Sequence, residues 1–316
     1  ISIAIFVYYL RFFFKKKNKP NFQKIKTFQF IKLLGGGNIY IALPYFYNLK
    51  KKYPNSSLEI ICSNNIYNFV ESAKIFDKIY VINIKNILYT LLTTLNLLFK
   101  RKKDNFIVNL EPHSNFANIL SNFLKHKFYL SSNYEDNYFY TKLADKNIFF
   151  KKNMPIYKIH QKIFNYIDVE KMEINELKNK NLSNNNFKTT RSKNYSVGII
   201  PFCSGLSEER KLSLENWSKI LEKESNKNSI FYIFGDQSEH LKAQNFKKHI
   251  SNFTSLKNII LLTKDYKFSE KINILYNLNI IYSIDTGYNH IARILNKKIN
   301  SYWGASDPHL MLDRDY

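Results

Sequence analysis

Short apolar runs, rich in β-branched and aromatic residues, alternate with helix-length segments along almost the whole chain. This alternation limits the fold more than any other feature. In the first half the strand candidates are TFQFIKL (27–33), LEIICS (58–63), KIYVIN (78–83) and FIVNL (106–110), separated by predicted helices over 39–52, 64–74, 86–101 and 114–125. In the second half they are YSVGII (195–200), IFYIFG (230–235), NIILL (258–262), IIYSI (280–284) and KINSYW (298–303), with predicted helices over 213–224, 237–250, 268–277 and 287–296. Strand–helix–strand order repeated this often implies parallel sheets with right-handed crossovers. The strands read as near-continuous apolar runs, as sheets covered on both faces require. The fold class is therefore α/β, with two Rossmann-like domains facing a cleft and ligands at the C-terminal edges of the strands.

The expected boundaries follow composition. Residues 1–24 form an apolar and basic extension. Residues 25–177 form the first Rossmann-like domain. The polar, Asn-rich stretch 178–194 is a linker, and 195–316 form the second domain. At 45% apolar the chain has ample material for two cores. The opening ISIAIFVYYLRFFF, followed by KKKNK, is too short to span a bilayer. It is an interfacial anchor, the end of a longer apolar segment, or a helix packed on the body. The first residue is Ile rather than Met, which points to a missing start.

A net charge of +23 on a folded protein draws anions: nucleic acid, acidic headgroups or phosphorylated substrates. The same bias toward Lys, Asn, Ile, Phe and Tyr also arises from AT-rich coding, which scatters lysines over solvated faces. Nucleic-acid binding ranks low, because no nucleic-acid motif is present and the aromatics fall mainly in strand positions. Cys62 and Cys203 lie far apart without a CxxC partner, so they read as buried thiols in a reducing cytoplasm.

Four segments at strand tips carry candidate chemistry. In IKLLGGGNIY (31–40) a strand enters Gly35-Gly36-Gly37 and then a helix, with Asn38 as the expected N-cap; such a loop lets substrate approach backbone N–H groups. It is neither GxGxxG nor a P-loop. In NLEPHSNFANIL (109–120) Glu111 follows the strand directly, as a candidate base or acceptor-binding group, or as a carboxylate favoured by a helix N-terminus; His113 reads as a loop surface residue. In PFCSGLSEERKLSLENW (201–217) Ser204, Arg210 and Lys211 lie in a loop suited to a diphosphate, Arg by forked hydrogen bonds and Lys as a point charge. In SIDTGYNHIARIL (283–295) a strand ends in Asp285-Thr286-Gly287, and His290 lies in the first turn of the helix that follows. Asp285, Thr286 and the helix N–H groups suit hydroxyls and phosphate together.

In this order the segments resemble glycosyltransferase family 9, the lipopolysaccharide heptosyltransferases, from about residue 27 to the chain end. The N-terminal mark is the Gly turn before Ala42-Leu43-Pro44, with Tyr53-Pro54 ahead of the second strand. The C-terminal mark is Asp285-Thr286-Gly287-x-x-His290 and then Trp303-Gly304-x-x-Asp307-Pro308, while Arg210-Lys211-Leu212-Ser213 matches a middle mark loosely. The resemblance implies a GT-B fold, with acceptor in the first domain and nucleotide-sugar in the second, and inverting transfer without an essential metal or other cofactor. It implies an ADP-heptose donor, a lipid-linked saccharide acceptor and a peripheral position at the cytoplasmic face of the inner membrane. Asp285, Thr286, Gly287 and His290 would hold the donor's phosphates and sugar. Arg210 and Lys211 would neutralise the leaving diphosphate, and Ser204 would add a phosphate contact. Gly35, Gly36 and Gly37 would line the acceptor side.

One departure bears on catalysis. Family members end the first Gly turn in Gly-Asp, and that Asp is the proposed base; here the turn ends Gly37-Asn38. An amide accepts no proton at neutral pH. The LEP-x-S segment resembles a branch without the usual Asp, which makes Glu111 the substitute. The alternative is a catalytically inactive nucleotide-sugar or glycan-binding protein that keeps the fold. Family members also carry a further closing helix, so the resemblance implies that the chain stops short at its C-terminus. Sugar, nucleotide, acceptor and oligomeric state are not encoded in these spacings.

Overall fold

The computed structural model describes residues 18–99, 105–112, 114–124, 127–135, 143–173, 175–177, 194–203, 208–224, 229–254, 256 and 258–312. The chain divides into two compact units, Ile1–Glu173 and Ile174–Tyr316. The expected linker, the apolar opening and Ser204 fall largely or wholly outside the described residues.

The first unit is built on six parallel strands: β1 (Thr27–Lys32), β2 (Ser57–Ser63), β3 (Lys78–Ile82), β4 (Asn105–Asn109), β5 (Phe128–Tyr134) and β6 (Lys146–Phe150). Their order is β3-β2-β1-β4-β5-β6. The helices are α1 (Gly37–Lys52), α2 (Tyr67–Ser72), α3 (Ile87–Phe99), α4 (Asn115–Phe123) and α5 (Ile156–Tyr166). Alternation along β1 sends Phe30 and Ile31 to opposite faces. Phe30 meets Phe46 of α1 edge-to-face and stacks on Phe164 of α5, at centroid distances of 4.9 and 5.7 Å. Ile31 belongs to the other core layer, with Leu97 of α3 and Ala117 and Leu120 of α4. Phe22, in a short 3-10 turn ahead of β1, packs edge-on against Phe106 at 5.5 Å.

The second unit has five parallel strands: β7 (Ser196–Ile200), β8 (Ile230–Phe234), β9 (Ile259–Leu262), β10 (Ile280–Ile284) and β11 (Ile299–Tyr302). Their order is β11-β10-β7-β8-β9. They are flanked by α6 (Leu214–Glu222), α7 (His240–Phe253), α8 (Phe268–Asn277), α9 (Gly287–Ile294) and α10 (Pro308–Met311). Trp217 of α6 and Phe246 of α7 pack with strand residues Val197, Ile199 and Phe231 in one cluster.

Both sheets have the doubly wound order in which the chain reverses direction beside its first strand. The switch points lie between β1 and β4 in one unit and between β7 and β10 in the other. Loops at such points part to opposite faces and leave the strand tips open to ligand. The candidate segments at 31–40 and 109–120 follow β1 and β4, and those at 201–217 and 283–295 follow β7 and β10.

Three local expectations change. Strands β5 and β6 and helix α5 occupy 128–166, where the apolar pattern gave no element, because β5 reads FYLSSNY and buries Ser131, Ser132 and Asn133. The helix expected over 64–74 contracts to Tyr67–Ser72, and that expected over 237–250 opens as a 3-10 turn and runs to Phe253. Asn38 does not cap α1. The helix starts two residues earlier, at Gly37, with Gly36 as its N-cap and no side-chain capping bond. The turn bond from Asn38 N–H to the Gly35 carbonyl, 3.0 Å, already places Asn38 inside the helix.

Candidate active site

At the first switch point the carboxylate of Glu111 closes the β1–α1 loop. Its Oε1 accepts from the Lys32 ammonium at 3.0 Å and from the backbone N–H groups of Leu33 and Leu34, each at 2.7 Å. Lys32 and Glu111 are both buried. These donors satisfy the loop where it leaves β1 for Gly35, whose φ of +70° suits glycine. Gly36 has a different constraint: a Cβ there would meet the Phe69 ring at 2.5 Å. Glu111 is itself aimed by Asn109, whose Oδ1 accepts the Glu111 N–H at 2.9 Å. Asn109 continues into a buried amide and hydroxyl network. Asn118 Oδ1 accepts from Asn109, Tyr129 and Ser131 at 2.8–3.1 Å, and its amide donates to Asn133. No motif announced this network; buried polar side chains clustered at two strand tips are its only trace in sequence. His113 falls outside the described residues.

At the second switch point Asp285 is buried at the tip of β10. Its Oδ2 lies 3.2 Å from Arg210 Nη1, and its Oδ1 lies 3.9 Å from His290 Nε2. The Arg210 contact is an ion pair, and this buried oxygen has no hydrogen bond among the described residues. Arg210 closes a 3-10 turn, Glu208–Arg210, and keeps part of its side chain open to solvent. Burial first of all, against the upward pull of Asp285 and with Arg293 and Arg210 adding to it, lowers His290 to about 4. The imidazole is therefore neutral at physiological pH. Thr286 caps α9: its Oγ1 accepts the Tyr288 N–H at 3.1 Å, which leaves the hydroxyl proton to donate. Gly287 begins α9, where the first N–H groups are unpaired within the helix. Asn289, beside His290, donates to the Ile284 carbonyl and Ser301 Oγ, while its Oδ1 has no hydrogen bond among the described residues.

Gly304, after β11, lies against the segment that carries Arg210. A Cβ at Gly304 would stand 2.5 Å from the Glu209 carbonyl and 3.0 Å from Arg210 Cα. Asp307 caps α10 through Oδ1 to His309 N–H, 2.8 Å. Ser213 caps α6 through Oγ to Asn216 N–H, 3.2 Å.

A third group, at the tip of β8, was missed from sequence. Asp236 and Glu239 form a capping box, with Glu239 Oε2 accepting the Asp236 N–H at 2.8 Å. Buried Lys271 donates to the Gly235 carbonyl at 2.7 Å. Burial raises the Glu239 carboxyl and lowers the Lys271 ammonium from their ordinary values. Lys211 belongs to this group as well, since its charge acts to lower Glu239. The readable signal was a strand ending in Gly235-Asp236 with a carboxylate three residues on. Among the described residues no group of three or more His, Cys, Asp and Glu is placed to hold a metal ion. Cys62 and Cys203 are buried free thiols.

The family model for glycosyltransferase family 9 (heptosyltransferase) matches residues 105–311, well over half of the chain. A search of curated protein sequences found no significant match. Among solved structures, the chain is similar to the glycosyl transferase family 9 protein of Veillonella parvula DSM 2008, with TM-score 0.71 and 12% identity over 92% of this chain and 84% of that one. It is also similar to E. coli heptosyltransferase WaaC with ADP, with TM-score 0.71 and 10% identity over 90% and 89% of the two chains. E. coli ADP-heptose lps heptosyltransferase II gives TM-score 0.66 and 13% identity over 90% and 88%. At these identities the structural likeness establishes the GT-B fold, and the family model, spanning β4 to α10, supplies the membership: the chain is a glycosyltransferase of family 9, the heptosyltransferases.

Proposed function

We propose that the protein transfers a heptose-like sugar, with inversion, from ADP-heptose to a lipid-linked saccharide of the lipopolysaccharide core at the cytoplasmic face of the inner membrane. The observation that carries the reading is the pairing of Arg210 with buried Asp285 beside the capped N-terminus of α9. One cation is then available to the leaving diphosphate. Helix N–H groups and the Thr286 hydroxyl add neutral donors, and Asp285 offers an unbonded oxygen to sugar hydroxyls. Neutral His290 donates or accepts one hydrogen bond without adding charge. Lys211 is assigned to the diphosphate together with Arg210, and Ser204 is kept as a phosphate contact. Glu239, at the tip of β8, is assigned to the ribose hydroxyls, the place a carboxylate takes in other doubly wound nucleotide sites.

In this reading the acceptor hydroxyl attacks the anomeric carbon from the face opposite the nucleotide. The new carbon–oxygen bond forms as the bond to the diphosphate breaks, and the hydroxyl proton passes to Glu111. Oε1 of Glu111 is committed to Lys32 and the two N–H groups, so the proton goes to Oε2. Gly35, Gly36 and Gly37 keep the neighbouring backbone open to the acceptor. The charge of the departing diphosphate is carried by Arg210 and Lys211, and the reaction is proposed to need no metal. EDTA then leaves turnover unchanged.

Calorimetric titration with ADP, UDP, GDP and CDP tests the donor site. ADP binding that Asp285→Ala abolishes supports it; binding that survives the substitution removes Asp285 from it. Asn38 favours a second reading, a nucleotide-sugar-binding protein without activity. Tight ADP-heptose binding with no transfer to any lipid-linked acceptor selects that reading.

A further inference from the structure

Helix α3 is built inside out. Helices on a sheet normally bury an apolar stripe and turn polar residues to water. Here Ile87, Leu88, Leu91, Leu92, Leu95 and Phe99 follow the i, i+4, i+8 and i+1, i+5, i+12 spacing of one helical face, and all are exposed: Ile87 at 88%, Leu91 at 55%, Leu92 at 53% and Phe99 at 82%. The opposite face carries Thr90, Thr93 and Thr94 together with Leu97, the one residue of the helix buried in the core. Thr90 and Thr93 are accommodated by local bonds, while the buried Thr94 Oγ1 has no hydrogen bond among the described residues. Thr90 Oγ1 donates within reach of the Asn83 and Asn86 carbonyls at 2.8 and 2.9 Å, and Thr93 Oγ1 reaches the Tyr89 carbonyl at 2.7 Å. The thirteen residues of α3 contain no charge. Helix α4, over the same core layer, adds Phe116 and Phe123 as exposed rings.

Water is a poor solvent for such a face, and contiguous apolar patches of this kind mark interaction surfaces. Charge identifies the occupant. Lys85 stands just before the helix, and the chain continues from Phe99 into Lys100-Arg101-Lys102-Lys103, within a protein of net charge +23. An uncharged apolar face flanked by basic residues fits the headgroup and upper acyl region of an anionic bilayer, where leucines enter the hydrocarbon and lysines meet phosphate. We propose that the α3 face is a docking surface for an anionic lipid bilayer. No helix among the described residues is long and apolar enough to cross a membrane, so the contact lies in the plane of the interface. The inference does not depend on which sugar the protein transfers, or on whether it transfers one.

The test is co-sedimentation of the full chain with vesicles of phosphatidylcholine alone and with phosphatidylglycerol added, comparing wild type with Leu91→Gln/Leu95→Gln. Both positions are exposed, so folding is retained, and circular dichroism checks it. Wild type is expected to partition to the anionic vesicles, less so at high salt. The double variant is expected to lose roughly tenfold in partition coefficient for each leucine. A Leu92→Trp reporter is expected to shift its emission to the blue on anionic vesicles. Equal partition of wild type and variant overturns the proposal, because the apolar opening of the chain then carries the binding. Absence of partition, with concentration-dependent self-association that the variant abolishes, overturns it in favour of a second copy on this face.

Discussion

The Lys32 ammonium lies 3.0 Å from Glu111 Oε1, and both side chains are almost wholly withdrawn from water. The pair joins the ends of β1 and β4 at the switch point, and two backbone N–H groups complete the coordination of the same oxygen. Glu111 is thereby both a fastening of the Gly loop and the proposed proton acceptor, and the two jobs separate by substitution. Glu111→Gln keeps an acceptor oxygen for Leu33 and Leu34 but has no basicity. It is expected to lower kcat by about a hundredfold or more while the protein stays folded. Glu111→Ala is expected in addition to destabilise by about 3 kcal/mol, because it leaves the buried Lys32 ammonium and the Leu33 and Leu34 N–H groups without any acceptor oxygen. Steady-state kinetics and denaturant unfolding of the two variants provide the check. Full turnover in Glu111→Gln reduces Glu111 to a fastening.

Arg210 is assigned to charge that appears only as the diphosphate departs. Arg210→Ala is therefore expected to lower kcat by about a hundredfold and to raise donor KM by much less. Arg210→Lys keeps the charge but loses the fork, and its kcat is expected to fall between the two. A variant in which KM rises and kcat holds would make Arg210 a ground-state binding residue.

The fold was legible where apolar runs were continuous. IIYSI at 280–284 and the helix over 268–277 are found at the residues expected. β5 was hidden because its inner positions are serine and asparagine, which only a hydrogen-bond network among distant residues makes compatible with burial. The Asp285–Arg210 pair was half legible. Each residue stood in a candidate motif, yet the contact between them depends on β7 and β10 being neighbours, which chain order does not reveal. Asn38 was misread as a cap because capping propensity is local, whereas the start of α1 is set by the turn at Gly35 and the fit of Gly36 against Phe69. The β8-tip carboxylates lacked a motif to single them out among many charged loop residues.

Gly304 offers a test of how Arg210 is placed. Its missing side chain lets the Glu209–Arg210 backbone lie against the loop after β11, at distances a methyl group would close to 2.5 Å from the Glu209 carbonyl. Backbone on the far side cannot rotate away as a side chain would, so Gly304→Ala is expected to move Arg210. A tenfold fall in kcat, roughly, is expected, with about 1–3 kcal/mol lost from stability. The double variant Gly304→Ala/Arg210→Ala is expected to be no slower than Arg210→Ala, since the guanidinium that would be displaced is already gone. Multiplying effects would show that Gly304 acts on something else.

Stability should also carry the mark of two neutral buried histidines. His160, on α5, has no hydrogen bond at either ring nitrogen among the described residues. Burial, and next the charge of Lys32, bring it from 6.5 to about 3. His290 is brought to about 4, again chiefly by burial. In the unfolded chain both titrate near 6.5. A folded-state value below the unfolded one means that the unfolded chain takes up protons first as pH falls. The stability is whole above pH 6.5 and drains away below it, down to about 3 for His160 and about 4 for His290. At pH 5 the His160 contribution has shrunk by about 2 kcal/mol, one and a half pH units at 1.36 kcal/mol each. His160→Leu fills the same space with no proton site. Its stability relative to wild type is therefore expected to improve by about 2 kcal/mol between pH 7.5 and pH 5, leaving the acid limb of His290 alone. Urea unfolding of both proteins at the two pH values measures this directly. Parallel losses in wild type and variant would mean that His160 does not stay neutral in the folded protein and that its nitrogens find a partner on protonation.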